Sequence, residues 1–368
     1  MKFKITFLFV FSTVVAFAQP PAGYYNSATG TGYTLKTQLY NIINNHTDQG
    51  YNSIDNFFPL ADLDVYYEND NTILDIYSEN PNGPDPYNFF LFNACGNYSG
   101  EGDCFNKEHI IPQSVFSSNS PMRGDAHHLL PTDGRVNGFR GNYPFGIVGQ
   151  SLISQSGISN PTQNGSKAGN NINTGVAAGY SGVVFEPIDE FKGDVARIYF
   201  YFVTRYENLI SSWSSYPMFD GSSNKVLSDP FLGILYSWHI NDPVSQKEIN
   251  RNNAIYAYQG NRNPFVDNPD YVCNIWNVSN CTLSVPEINF ENAITVYPNP
   301  SNNQTISIES SIELDEIQLI SINGQLLQVI QKENITANQL QINSIPSGFY
   351  LLKVKSNNQY ITKKIIIN

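Results

Sequence analysis

The sequence predicts an α+β protein of two units, a mainly helical N-terminal domain around a small mixed centre and a small all-β sandwich at the C-terminus. The chain has 368 residues, enough for about two domains of roughly 150 residues each. Hydrophobic residues make up 41% and charged residues 14%, which excludes an intrinsically disordered chain. Near residue 282 the pattern changes from apolar positions at helical spacing to short alternating strands, and we place the domain boundary there.

The first 18 residues have the pattern of a secretory signal peptide. Lys2 and Lys4 form a basic start, Ile5 to Val15 is apolar, and Ala16-Phe17-Ala18 offers a small-x-small cleavage site. The apolar stretch is shorter than the roughly 18 residues that a membrane-spanning helix needs, and no later segment is apolar enough to span. We therefore expect an exported, soluble monomer without a membrane span.

Four cysteines are consistent with export to an oxidising compartment. Cys95 lies close to Cys104 in the sequence, and Cys273 lies close to Cys281. Two short-loop disulfides are the simplest of the three possible connectivities. A zinc site that uses all four cysteines is the alternative, but neither pair has the usual C-x2-C spacing.

Three helices are expected in the N-terminal unit. The first has an apolar stripe formed by Leu35, Leu39, Ile42 and Ile43. The second runs from residue 189 to residue 210, with Val195, Ile198, Phe202 and Leu209 on its buried face. The third follows Asp242-Pro243, because Asp is a natural N-cap and Pro is favoured at the first helical position.

The last 80 residues have the pattern of a small all-β module. Ile306–Ile308, Ile317–Ile322 and Tyr350–Val354 are typical of sandwich strands. Asn323-Gly324 predicts a hairpin turn, and Pro346-Ser347-Gly348 predicts another turn before the strand at Tyr350.

This tail resembles the C-terminal sorting domain of type IX secretion cargo. The resemblance lies in Val296-Tyr297-Pro298-Asn299-Pro300, Asn323-Gly324, Gly348-Phe349-Tyr350-Leu351 and the final Lys363-Lys364-Ile365-Ile366-Ile367. It implies export across the outer membrane by the type IX secretion machinery. The alternative is a carbohydrate-binding or adhesion module. We therefore divide the chain into a signal peptide (1–18), a main domain (19–282), a linker (283–294) and a sorting domain (295–368).

The segment from Phe105 to Gly146 contains most of the residues capable of chemistry. It holds three of the five histidines and has four basic against three acidic residues, although the whole chain has a net charge of −12. Glu108-His109-Ile110-Ile111-Pro112 is typical of a strand end, and Asp125 to Pro131 is typical of a second strand. Thr132-Asp133 then predicts a cap ahead of a short helix at Gly134 to Asn137. Such a neutral-to-positive segment could tolerate a phosphate.

The order of strand, loop, strand and helix suits metal-assisted hydrolysis of a phosphodiester. Glu108 and the amide oxygen of Asn137 would supply two oxygen ligands to a hard ion such as Mg²⁺. A neutral His109 could take a proton from the attacking water, and a nearby arginine could stabilise the charge that develops.

Each of these residues also has a structural interpretation. A Glu-His pair alone is most often a surface pair, and Asn137-Gly138 alone would be a turn. His127-His128 could be a structural pair or two ligands of a soft metal. Arg123 could be a solvated loop charge. The combination of order and spacing is what favours a catalytic site.

The same segment resembles the bacterial endonuclease I family, which are secreted His-Me finger (ββα-metal) nucleases. The matching motifs are Asn106-Lys107-Glu108-His109-Ile110-Ile111-Pro112-Gln113-Ser114, Asp125-Ala126-His127-His128-Leu129-Leu130-Pro131 and Arg135-Val136-Asn137-Gly138-Phe139-Arg140-Gly141-Asn142. Further matches lie at 185–187, 191–197 and 262–267, so that the resemblance covers most of residues 30–280.

The resemblance implies endonucleolytic cleavage of DNA, and often of RNA, with little sequence preference and 5′-phosphate products. His109 matches the general base, and Glu108 and Asn137 match the metal ligands. The expected ion is Mg²⁺, with Mn²⁺ or Ca²⁺ as substitutes. Arg123 occupies the position of the arginine that stabilises the transition state in some members. We expect four further residues either to support the catalytic side chains or to position the phosphate: His127, His128, Arg140 and Asn142.

Two other functions fit parts of the sequence. A secreted glycan hydrolase would need two carboxylates in an aromatic cleft, for which Asp62, Asp64 and Glu68 are candidates. The same acids fit a solvated loop or a Ca²⁺-holding loop equally well. A surface adhesin with a structural metal site is the second alternative.

One feature departs from what the resemblance implies. Residues 19–282 contain 13 basic and 25 acidic side chains, whereas the family often meets DNA with a basic surface. We therefore expect modest affinity for nucleic acid and a strong dependence on salt.

Overall fold

The computed structural model describes residues 20–276, 294–310, 314–332, 339–356 and 359–368. The chain forms two compact units, Met1–Cys281 and Thr282–Asn368. The predicted signal peptide and residues 283–293 of the predicted linker lie outside the described residues. Within the described residues, no helix is both long enough and apolar enough to cross a membrane.

Helices and two small sheets make up the first unit. Its described α-helices are α1 Gly32–Ile43, α2 Phe58–Ala61, α3 Gly134–Arg140, α4 Lys192–Arg205, α5 Asp229–Asn241, α6 Gln246–Gln259, α7 Pro264–Asp267 and α8 Tyr271–Trp276. Helix α4 lies in the core, because every residue from Gly193 to Arg205 is buried. One sheet pairs β1 Phe105–His109 with β2 Leu129–Asp133, and the other has the order β3 Val148–Leu152, β4 Lys167–Asn171, β5 Val183–Glu186.

The second unit is all-β in its described residues. Its strands are β6 Ile294–Tyr297, β7 Ile306–Ser310, β8 Glu316–Ser321, β9 Leu326–Gln331, β10 Gln339–Ile342, β11 Gly348–Ser356 and β12 Gln359–Ile367. They form two antiparallel sheets with the orders β10-β7-β6 and β12-β11-β8-β9. One apolar core joins the sheets, since Ile306 and Ile308 of the first sheet cluster with Ile317 and Leu352 of the second. The prediction of a mixed helix-and-sheet chain with an all-β C-terminal region is confirmed.

The predicted helices are confirmed only in part. Helix α1 buries Leu35, Leu39 and Ile43 as expected. The helix expected over 189–210 is wrong at both ends, because 189–191 and 210–213 are 3-10 turns and Leu209 is 38% exposed beyond the end of α4.

The prediction that a helix starts at Asp242-Pro243 is wrong. Asp242 instead follows the last residue of α5. Helix α6 begins four residues later, where Ser245 and Glu248 form a capping box: the Ser245 hydroxyl accepts from the Glu248 N–H and the Glu248 carboxylate accepts from the Ser245 N–H. A capping box satisfies two otherwise unpaired N–H groups, whereas Asp at the N-cap satisfies one.

The predicted strand from Asp125 to Pro131 begins too early. Residues 126–128 form a 3-10 turn that Asp125 caps by accepting the His127 N–H, and β2 begins only at Leu129. Pro131 does not end the strand but lies within β2, opposite Lys107. Because the sheet has only two strands, a proline without an N–H can lie on its outer edge.

The first expected disulfide is present. Cys95 is bonded to Cys104, which closes the loop that leads into β1. Cys273 is also disulfide-bonded, whereas its expected partner, Cys281, lies outside the described residues.

Candidate active site

The end of β1 and the middle of α3 lie side by side. β1 pairs with β2 in antiparallel register, with Glu108 opposite Leu130 and His109 opposite Leu129. α3 follows β2 directly because the Asp133 carboxylate caps it by accepting the Val136 N–H at 2.7 Å. The helix packs closely on Tyr98, since a Cβ at Gly138 would lie 2.5 Å from the Tyr98 hydroxyl.

A cleft of about 360 Å³ opens where these elements meet. It is lined by Glu108, His109, Asn137, Arg140 and Asn142, together with Tyr51, Cys95, Gly96, Asn106, Lys107, Pro112, Gln113, Ser114 and Gly141. Five of the residues predicted from the sequence to form the site therefore share one cleft. Tyr51 and Asn106 were not among those residues.

Glu108 lies at the bottom of this cleft and is 2% exposed. Its Oε1 accepts hydrogen bonds from the Tyr77 hydroxyl at 2.8 Å and from Nη1 of Arg140 at 3.1 Å. Burial raises the pKa of Glu108, and the guanidinium of Arg140 opposes this shift. Its second oxygen, Oε2, has no side-chain hydrogen-bond donor among the described residues, so that it is available to a ligand. A backbone hydrogen bond from His109 to the carboxylate lowers the pKa of Glu108.

Asn137 presents a second oxygen to the same cleft. Its Nδ2 donates to Oδ1 of Asn106 at 2.7 Å and to the Lys107 carbonyl at 3.4 Å. These two bonds fix which side of the amide is the nitrogen. The Oδ1 of Asn137 has no donor among the residues described and is left for a ligand.

His109 is held in one tautomer by the protein backbone. Its Nε2 lies 3.1 Å from the carbonyl oxygen of Arg123, and a carbonyl can only accept, so Nε2 must carry the hydrogen. In the neutral ring, Nδ1 then keeps its lone pair. Burial, together with the nearby His128, lowers the pKa of His109 to about 3. The ring is therefore neutral at pH 7 and offers a proton acceptor.

Tyr51 supports His109 from a distant part of the chain. The two rings are stacked, with centroids 5.7 Å apart and planes at 15°. The guanidinium of Arg123 lies 4.5 Å from the centroid of the Tyr51 ring, and the ammonium of Lys107 lies 4.4 Å from it. Both distances are typical of cation–π contacts. No local motif around Tyr51 indicated this role, because it lies 58 residues before His109.

Arg140 is placed to position the strand end rather than to reach solvent. It is 1% exposed and donates to Glu108, to the His109 carbonyl at 2.9 Å and to the Ile110 carbonyl at 2.6 Å. The adjacent Glu108 carboxylate raises the pKa of Arg140 even though burial opposes it. Arg140 thus balances the buried charge and fixes the backbone of residues 109 and 110.

The two adjacent histidines have different surroundings. His128 is fully buried behind His109, with ring centroids 5.4 Å apart, and its Nε2 donates to the Met122 carbonyl at 2.6 Å. His127 contacts Tyr201, with ring centroids 4.2 Å apart, and lines a separate small cavity with Glu248 and Arg251. His127 is therefore not in the cleft. Arg123 contributes its carbonyl to His109, and its side chain lies over Tyr51.

Comparisons with known proteins identify the family of the first unit. The sequence profile of the Endonuclease I family matches residues 31–270. An extracellular ribonuclease of Bacillus amyloliquefaciens is 34% identical over 275 residues, covering 72% of this chain and 82% of the relative. An extracellular ribonuclease of Bacillus subtilis (strain 168) is 34% identical over 265 residues, covering 69% and 78%. Endonuclease-1 of Buchnera aphidicola is 27% identical over 145 residues, covering 39% and 45%.

A buried carboxylate, an amide oxygen and a neutral imidazole around one cleft, in a chain with these relatives, define a nuclease, an enzyme that hydrolyses phosphodiester bonds. The protein belongs to the Endonuclease I family. The nuclease prediction is thereby confirmed and is preferred to the glycan hydrolase and the adhesin.

The C-terminal unit has its own match. Residues 295–368 match the profile of the secretion system C-terminal sorting domain. The protein is therefore secreted to the extracellular space or the cell surface, as the sequence predicted. A solved chain of PorZ, a surface component of the type-IX secretion system of Porphyromonas gingivalis, is 14% identical and covers 23% of this chain and 12% of that chain. Its TM-score of 0.20 is too low to indicate a common fold.

Proposed function

We propose that this protein is a divalent-metal-dependent endonuclease that cleaves DNA and RNA with little sequence preference and leaves 5′-phosphates. The observation that carries the proposal is the neutral His109, held in one tautomer beside the free oxygens of Glu108 and Asn137. We assign β1, β2 and α3 to the ββα-metal core of the His-Me finger nucleases. Residues 19–282 form the nuclease, 283–294 the linker and 295–368 the domain that the type IX machinery recognises in a monomeric cargo.

The general base is His109. Its Nδ1 accepts a proton from the water that attacks phosphorus, while the Arg123 carbonyl keeps the Nε2 hydrogen in place. The imidazolium that forms is next to an anionic phosphate, which favours the charged ring when substrate is bound. The stacked Tyr51 ring keeps the imidazole plane from turning.

Glu108 and Asn137 would hold the metal. The fit rests on two oxygens with no side-chain donor in the described part of the chain, one carboxylate and one amide, and Mg²⁺ prefers such oxygen ligands. Mn²⁺ or Ca²⁺ would meet the same oxygens. A bound ion supplies Lewis-acid polarisation of the phosphate and neutralises charge on the leaving oxygen. Arg140 opposes the rise in the pKa of Glu108 that burial causes, and its ion pair orients the carboxylate for this role.

Cationic groups at the edge of the cleft would meet the phosphate backbone. We assign stabilisation of the transition state to Arg123, whose Nη groups have no acceptor among the described residues. We assign contact with substrate to Asn142, which is exposed at the rim. His128, packed behind His109, acts as a positioning residue, and we give His127 the same role at longer range.

The test is cleavage of supercoiled plasmid by the full chain in Mg²⁺, in EDTA, and after His109→Ala. Wild type should nick and linearise the plasmid only with the ion, and His109→Ala should lose about 10²- to 10⁴-fold in rate. His239→Asn is the matched control, because His239 is equally buried but lies on α5 outside the cleft. If folded wild-type protein left the plasmid uncut in Mg²⁺, in Mn²⁺ and in Ca²⁺, the proposal would be wrong.

A further inference from the structure

A second buried carboxylate lies outside the cleft and has no partner of its own. Glu79 is fully buried, and neither of its carboxylate oxygens has a hydrogen-bond donor among the described residues. Removing an ionised carboxylate from water without a compensating charge is strongly unfavourable. The nuclease mechanism makes no use of this side chain, so that its retention in the fold needs another explanation.

Two further carboxylates meet Glu79 at one point. Oxygen atoms of Asp64, Glu68 and Glu79 all lie within 4.8 Å of one another. Calcium binds oxygen ligands at about 2.3–2.6 Å, so two oxygens on one ion are separated by at most about 5 Å. A single ion could therefore contact all three side chains.

We propose that Asp64, Glu68 and Glu79 bind a calcium ion at a site separate from the catalytic cleft. The two Glu79 oxygens without a hydrogen-bond donor indicate that a ligand binds there. The neighbouring carboxylates of Asp64 and Glu68 indicate that this ligand is a cation. Glu68 is exposed and gives the site access to solvent, whereas Asp64 and Glu79 are buried.

The protein itself offers little countercharge at this place. Residues 62 to 85 include seven acidic side chains and no basic one. The ammonium of Lys247 lowers the pKa of Glu79, but Lys247 forms its ion pair with Asp194. Burial, followed by the charges of Asp85, Glu68 and Asp64, raises the pKa of Glu79 to about 9. A divalent cation would balance these charges.

Three carboxylates favour calcium over magnesium. Calcium accepts six to eight oxygens with flexible geometry, and a carboxylate can bind it through one or both oxygens. Magnesium keeps several waters and is usually bound through one or two carboxylates. The protein is secreted, and extracellular calcium modules typically bind with dissociation constants of about 10⁻⁴–10⁻³ M.

The ion would connect a surface loop to the turn that contains Tyr77. Asp64 already organises that loop, because its carboxylate accepts the N–H groups of residues 66, 67, 68 and 69 at 3.0–3.1 Å. Glu79 ends a short turn that starts at Asp75. In the same turn, Tyr77 donates to Glu108. Calcium would therefore hold in place the segment that orients the catalytic carboxylate.

The experiment is thermal unfolding of the full chain in Ca²⁺ and in EGTA, with Mg²⁺ as a third condition. At a hundredfold excess over the dissociation constant, calcium should raise the melting temperature by about 5–10 °C. Glu79→Gln should lose this increase and, in EGTA, should melt close to wild type, because burial and the neighbouring acids already favour a protonated, neutral Glu79 when no ion is bound. Asp70→Asn is the matched control, since that carboxylate is already bonded to Thr72 and Asn88.

Glu108→Gln separates this site from the proposed catalytic metal. It removes any part of the increase that comes from calcium at Glu108. The part that depends on Glu79 should remain, because Asp64, Glu68 and Glu79 are unchanged, and the readout does not depend on nuclease activity. Glu68→Gln, an exposed substitution that leaves the core intact, should raise the calcium concentration needed several-fold. An increase that persists in Glu79→Gln, that disappears in Glu108→Gln, or that is absent in wild type overturns the proposal.

Discussion

Glu108 and Glu79 are both buried carboxylates, yet their surroundings are opposite. Glu108 has a tyrosine hydroxyl and an arginine on one oxygen and leaves the other oxygen free. Glu79 has neither, and the carboxylates of Asp64 and Glu68 lie beside it. The turn from Asp75 to Glu79 connects the two regions, because Tyr77 within it donates to Glu108.

The contrast shows that one fold can position a buried carboxylate for catalysis, as with Glu108, and another for structural ion binding, as we propose for Glu79. Arg140 balances Glu108 permanently, so a metal in the cleft can bind and leave without destabilising the protein. Glu79 lacks a permanent partner, and under our proposal only a bound ion would supply the positive charge that its ionised carboxylate needs. We expect loss of the cleft metal to affect activity and loss of the loop metal to affect stability.

The largest effect is expected from breaking the ion pair in the cleft. Arg140→Met should lower the free energy of unfolding by about 3–5 kcal/mol, because Glu108 is left buried and unpaired. Arg135→Met on the same helix is the control, since Arg135 donates only to the backbone carbonyls of Ser156 and Gly157. Urea unfolding of both variants measures the difference, and equal losses would contradict the comparison.

A smaller effect is expected from replacing Tyr51, whose ring stacks on that of His109. Tyr51→Leu removes the stacked ring and the cation–π contacts, worth about 0.5–2 kcal/mol, and should lower kcat/KM about tenfold. Tyr51→Phe retains the ring and should stay close to wild type. If Tyr51→Phe falls as far as Tyr51→Leu, the hydroxyl matters and the stacking argument is wrong.

The pH dependence of kcat/KM tests whether His109 is a neutral general base. Its folded pKa of about 3 lies below the ordinary value of 6.5, so the ring stays neutral as the pH falls through 6.5 and is protonated only near pH 3. The logarithm of kcat/KM, which reports the free enzyme, should show no histidine limb near pH 6.5. Measurement between pH 5 and 8 on wild type tests this, and a tenfold loss per pH unit below 6.5 would oppose it.

The smallest effect is expected when the salt concentration is varied, because the nuclease portion is acidic overall. Because residues 19–282 contain 13 basic against 25 acidic side chains, we expect binding to depend on a few phosphate contacts at the cleft. Cleavage at subsaturating substrate should fall steeply above about 200 mM salt as those contacts are screened. The cleavage rate should be measured from about 50 to 400 mM salt. A rate that does not change over this range would contradict the prediction.

The parts of the site that the sequence predicted lie in one short window. Glu108, His109 and Asn137 are recognisable there because a strand end, a capped helix and a motif occur within 33 residues. Tyr51 and Tyr77 were not predicted, since each comes from a distant segment whose local pattern carries no signal. Arg140 was predicted as a site residue, but its contact with Glu108 follows from packing that sequence spacing does not determine.

The fold shows the same limit. Periodicity predicted α1 and the tail strands, where burial follows a simple repeat. It failed at Leu209 and Asp242, because helix ends depend on which N–H and C=O groups find partners. It also placed His127 and His128 on a strand, although Asp125 caps a 3-10 turn there by bonding to the His127 N–H.

The central claim is that His109 is neutral, with its hydrogen on Nε2 and a free Nδ1. Nitrogen-15 NMR of the histidine-labelled full chain reads both ring nitrogens directly, with His109→Ala assigning the signal. The account predicts a protonated Nε2 and an unprotonated Nδ1 for His109 from pH 7 down to pH 5. A doubly protonated ring at pH 7, or a hydrogen on Nδ1, would contradict it.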